Sequence, residues 1–174
     1  MPKRSKKIIF VSHCILNQNT VATNLVKKGY TSAIWEIIEL CKKHDVGIEQ
    51  LPCPEFSYLG LPREPMTRDQ YKEIEGFVAF CRELAKDVAD YIKKLKSSGF
   101  EIKGIIGIAG SPSCGVIQTN VGPSNEERRR VKEKGIFMEE LSKALEREKL
   151  TIPMEDFDYR DIDDSLKRIE LLLR

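Results

Sequence analysis

No apolar run in the 174 residues approaches the roughly 20 that cross a bilayer. The N-terminal stretch also lacks the apolar centre of a secretory signal. Neither charge sign dominates: 29 basic against 27 acidic side chains leave +2, too near neutral to favour nucleic acid as the principal partner. Internal repeats, low-complexity tracts and domain linkers are absent. No cysteine pair has the C-x-x-C spacing typical of structural zinc, and without an export signal the five cysteines do not read as a disulfide framework. What remains is a charge-rich, cytoplasmic globular chain with no membrane partner. Its length suits one domain over residues 1–174, with a solvated basic tail at 1–6.

The cysteines that are present have a pattern. Lys7 to Val11 is a β-branched run leading to Ser12-His13-Cys14. Gly47 to Leu51 leads to Pro52-Cys53-Pro54-Glu55. Ile105 to Ala109 leads to Gly110-Ser111-Pro112-Ser113-Cys114-Gly115. Each is a short apolar run bounded by turn residues, as expected of strands buried on both faces. Leu150 to Met154 reads as a fourth strand.

Between them lie helical periods over Thr31–His44, Thr67–Ser98 with a break at Gly76, Gly135–Lys149 and Asp161–Leu173. Thr67 and Gln70 form a capping-box pattern. Cys41 and Cys81 fall in the apolar stripes of two of these helices and read as core. The β-α alternation predicts a three-layer, Rossmann-like α/β fold with a mainly parallel four-stranded sheet in flavodoxin-like order. Ligands of such sheets bind beyond the carboxyl ends of the strands. Cys14, Cys53 and Cys114 are therefore expected to meet at one edge.

The segments that follow these strand ends supply the other candidates. Asn17, Asn19 and Thr20 follow Cys14. Pro54–Pro65 reads as an extended, proline-stiffened loop carrying Glu55 and Arg63, a group suited to anions or carbonyls. The run Glu126-Glu127-Arg128-Arg129-Arg130 could grip a phosphate, but reads more readily as a solvated helical face or a mobile lid. Three thiols at one edge are compatible with a Cys₃ zinc site, with a [4Fe–4S] cluster that leaves one iron open, or with a thiol nucleophile. No arginine follows Cys14 as a phosphatase loop would require. Spacing does not separate these readings further.

Ser12-x-Cys14-x-Leu16, Cys53-Pro54-Glu55 with Gly60-Leu61-Pro62-Arg63-x-Pro65, and Ser111-Pro112-Ser113-Cys114-Gly115 together resemble the DUF523 family, which includes the 2-thiouracil desulfurases. The wording of the first two motifs is similar to a divergent branch of desulfurase-related desulfidases. The resemblance implies a [4Fe–4S] cluster on Cys14, Cys53 and Cys114, with proton transfer by Glu55 and Ser111. Asn17, Asn19, Arg63 and Ser113 would be contacts to a small thiolated molecule, whose thiocarbonyl would become a carbonyl. A non-catalytic iron–sulfur or zinc redox or sensor module is the alternative. Where such desulfurases usually carry an Arg-Tyr-Asp-Gly segment, this chain has Asn17-Gln18-Asn19-Thr20.

Overall fold

A computed structural model describes all 174 residues. Its elements are β1 (Lys7–Val11), α1 (His13–Leu16), α2 (Trp35–Lys43), β2 (Gly47–Gln50), α3 (Pro54–Leu59), α4 (Arg68–Lys72), α5 (Phe77–Ser97), β3 (Glu101–Ile108), β4 (Thr119–Val121), β5 (Arg129–Val131), α6 (Ile136–Arg147), β6 (Met154–Phe157) and α7 (Ile162–Leu173). A four-stranded sheet runs in the order β2-β1-β3-β6 with every pairing parallel. That is the flavodoxin-like order expected from the sequence.

Strand alternation sends side chains to two apolar cores, one on each face. Phe10 and Ile105 pack with Phe77, Cys81 and Ile92 of α5 and with Phe137 and Leu141 of α6. Ile9, Val11, Ile106 and Phe157 pack with Ile37 and Cys41 of α2 and with Ile169 and Leu173 of α7. Cys41 and Cys81 are fully buried members of these cores, as their helical spacing implies. The Thr67–Gln70 capping box is formed, and Gly76, at φ +81°, separates α4 from α5.

Four boundaries differ from the sequence reading. Helix α2 begins at Trp35 because the backbone before it is engaged elsewhere: Ser32 accepts from the Gln18 N–H and Ile34 donates to Ile15. The segment read as an extended loop from Pro54 starts with a helix, α3. Proline is well tolerated in the first turn of a helix, and the Cys53 sulfur accepts the Phe56 N–H at 3.4 Å as its cap. The last sheet strand begins at Met154, after Pro153, whose carbonyl accepts from Ile105 while its nitrogen has nothing to donate. The charged 125–134 segment is not a helical face. Its Arg129–Val131 portion pairs antiparallel with Thr119–Val121, across a turn through Gly122.

Candidate functional site

A cavity of about 380 Å³ lies at the carboxyl edge of the sheet. Cys14, Cys53 and Cys114 all line it, with Glu55, Arg63 and Ser111. Each thiol is held by a different local device. Cys14 sits in the single helical turn after β1, and the Ser12 N–H before it donates to Ile106 of β3. Cys53 caps α3. The Cys114 N–H donates to Ser111 Oγ at 3.0 Å within the turn after β3. No disulfide joins them.

The Cys114 turn is held from below by a group that sequence reasoning did not single out. Asp156, on β6, is 3% exposed and accepts the backbone N–H groups of Val116, Ile117 and Gln118 at 2.9, 2.9 and 3.0 Å. A charged residue at a buried strand position was the available signal. Burial raises the Asp156 pKa, while those three donors act the other way. Gly107 makes the close approach possible, because a Cβ there would overlap the Cys114 carbonyl oxygen and stand 2.9 Å from Asp156 Oδ1. We expect Gly107→Ala to destabilise the protein by roughly 1–3 kcal/mol through overpacking. The check is denaturant unfolding against wild type, and an unchanged midpoint would mean that the turn is free to shift.

Glu55 is 8% exposed, at the start of α3. Its Oε1 accepts from Tyr71 at 2.8 Å and pairs with Arg63 Nε at 3.4 Å, while Ser113 Oγ donates to its Oε2. Ser113 therefore acts on the carboxylate and is not part of the cavity lining. Burial first, then the Glu55 charge, lifts the Tyr71 pKa, so the phenol stays a proton donor. Burial lowers the Arg63 pKa, but Glu55 and then Tyr71 raise it by more, so Arg63 remains a cation.

All three thiols have raised pKa values. Cys14 is pushed up to about 12 by burial, then by Cys53 and Glu55. Burial and then Glu55 raise Cys53. Burial, followed by Cys53 and Cys14, raises Cys114 well above the usual thiol value. Protonated thiols are weak nucleophiles, which counts against a thiol nucleophile. No three His, Cys, Asp or Glu side chains are grouped tightly enough to hold a single metal ion.

Asn17 and Asn19 are not brought to the cavity. Asn17 Oδ1 accepts from the Asn19 backbone and side-chain amides at 3.0 and 2.9 Å, which closes a 3-10 turn over Gln18–Thr20. That turn presents Gln18 and Thr20 to the cavity instead. The β4–β5 hairpin contributes Asn120, Asn125, Arg128 and Arg130. It is tied to the start of α4: Thr67 Oγ1 donates to Gly122 O at 2.6 Å, and the Gly122 N–H donates to Asp69 Oδ2 at 2.8 Å. Arg130 is held by both oxygens of Asp158, at 3.1 and 3.0 Å. Arg63 and Arg130 are thus ion-paired, and the exposed Lys27, Arg128 and Arg160 add unpaired positive charge to the lining.

No helix is long and apolar enough to cross a membrane. A search of solved structures finds the same architecture in the [4Fe-4S]-dependent thiouracil desulfidase TudS (DUF523Vcz). The TM-score is 0.52 at 19% identity, over 95% of this chain and 99% of that one. The uncharacterized protein MJ0003 of Methanocaldococcus jannaschii is 33% identical over 175 residues, covering 98% of this chain and 99% of its own. A family model described as "Putative 2-thiouracil desulfurase" matches residues 6–151, and the chain belongs to that family.

Proposed function

We propose that the protein is a desulfidase that exchanges the sulfur of a small thiolated molecule for oxygen, with C=S and water giving C=O and hydrogen sulfide. The observation that carries this reading is the convergence of three free cysteines and a hydrogen-bonded glutamate on one cavity. The donor set fits a [4Fe–4S] cluster. Three soft thiol ligands come from three strand ends and line one cavity, which is the ligand type such a cluster takes. Such a cluster, when bound to Cys14, Cys53 and Cys114, supplies a Lewis-acidic iron free of protein ligands for the substrate's sulfur.

The chain's own groups do the rest. In this reading Glu55 accepts a proton from the attacking water and returns it to the departing sulfur. Tyr71, Arg63 and Ser113 hold it in one orientation. Ser111 Oγ, fixed by the Cys114 N–H, keeps its own proton available to a ligand in the cavity. The cations favour an anionic thione over a neutral one.

The test is sulfide release from 2-thiouracil by protein purified without oxygen, with iron and acid-labile sulfur measured on the same sample. Iron without sulfide release from any thione would return the non-catalytic reading, and zinc in place of iron would return the zinc one. If release is seen, 2-thioorotate, which adds a carboxylate, should show a higher kcat/KM than 2-thiouracil. That advantage should shrink as salt is added. An advantage insensitive to salt would detach the arginines from substrate recognition.

A further inference from the structure

Gln18 is 2% exposed yet lines the cavity. Its Nε2 donates to the Cys14 carbonyl oxygen at 2.6 Å and to the Tyr159 hydroxyl at 3.2 Å. A carbonyl oxygen can only accept, so the amide's orientation is fixed by chemistry. Both amide protons are thereby used within the protein, and Oε1 accepts nothing from it. The backbone is fixed too, since the Gln18 N–H donates to Ser32 O at 2.8 Å. Thr20, on the same turn, also lines the cavity, and its buried Oγ1 has no partner in the protein.

An amide anchored on the Cys14 backbone, in the lining of the cavity that holds the three thiols, keeps a carbonyl acceptor without a protein donor. Resting on the reading that a substrate's sulfur faces the thiols, we infer that Gln18 Oε1 reads an N–H group adjacent to the thiocarbonyl. Gln18 is then a specificity-determining residue that favours thiones with N–H beside the C=S over those without it. A thione with ring oxygen in place of that N–H sets one lone pair against another and leaves the buried amide unsatisfied, which is a strong basis for rejection.

The probes are pyridine-2-thione and pyran-2-thione, of nearly the same shape, one with N–H and one with oxygen beside the C=S. Each is titrated by calorimetry into iron-loaded protein purified without oxygen. Wild type should bind pyridine-2-thione roughly tenfold or more tightly than pyran-2-thione. Gln18→Met, similar in length but without the acceptor, should bring the two affinities within about threefold of each other by weakening only the first. Equal affinities in wild type, a preference that survives Gln18→Met, or failure to bind either thione would overturn the inference. Should Gln18→Met not fold, as judged by thermal melting, the wild-type pair decides alone. Sulfide release on the same preparation reports separately. The preference without release removes the desulfidase reading and leaves Gln18 its role; release without the preference does the reverse.

Discussion

A Glu55→Gln variant is expected to lose about a hundredfold or more of its desulfurase turnover while keeping its iron, because a positioned general acid–base group typically contributes that much. Gln is the informative replacement. It fills the same space and can still accept from Tyr71 or Arg63 through its one carbonyl oxygen, but it cannot take up a proton. Glu55→Ala would confound the result, since it leaves Arg63, with a side chain 5% exposed, buried without its partner. Removing one member of such a pair typically destabilises by roughly 3–5 kcal/mol. The comparison therefore needs three readings on each sample: sulfide release, iron content and melting temperature. Turnover within about twofold of wild type, with iron intact, would take proton transfer away from Glu55.

That Glu55 belongs at the site was legible before any coordinates, because it stands two residues beyond a strand-end cysteine. Its partners were not. Tyr71 looks like an apolar member of a helix, and only the packing of α4 beside α5 and β4 turns its hydroxyl toward Glu55. The parallel sheet and its strand order followed from the β-α alternation, since crossover handedness leaves few topologies. Local chemistry at the strand ends was harder to read. Pro52 and Pro54 suggested extension, yet Pro54 opens a helix because its missing N–H is one that the first helical turn does not use. In the 17–20 segment Thr20 is a sequence candidate that lines the cavity, whereas Gln18 is not singled out by the sequence and Asn17 and Asn19 close the turn instead. In a 3-10 turn, with three residues per turn, the face that Gln18 presents is not the one Asn17 and Asn19 present. The hairpin arginines were misassigned because three-residue strands carry too little alternation to outweigh a charged run.

Replacing Cys14, Cys53 or Cys114 singly by Ala should abolish turnover and remove most of the iron, whereas Cys41→Ala and Cys81→Ala should retain both. The two groups share a residue type and differ in place. Cys41 and Cys81 are enclosed by the apolar cores on either side of the sheet, and deleting a sulfur there leaves a small cavity. The expected effect is a destabilisation on the order of 1–3 kcal/mol, visible as a lower melting temperature. The other three line the cavity, where burial first of all raises their thiol pKa values. Coordination to a metal centre would reverse this by deprotonating them outright, so occupancy of the site and release of protons are coupled. Removing one ligand of three leaves the others unable to close the site. Iron retained in full by the Cys53→Ala variant would show that the cavity's thiols do not act together. Loss of iron from Cys81→Ala, which stays buried in the α5 core, would move the centre away from the strand ends altogether.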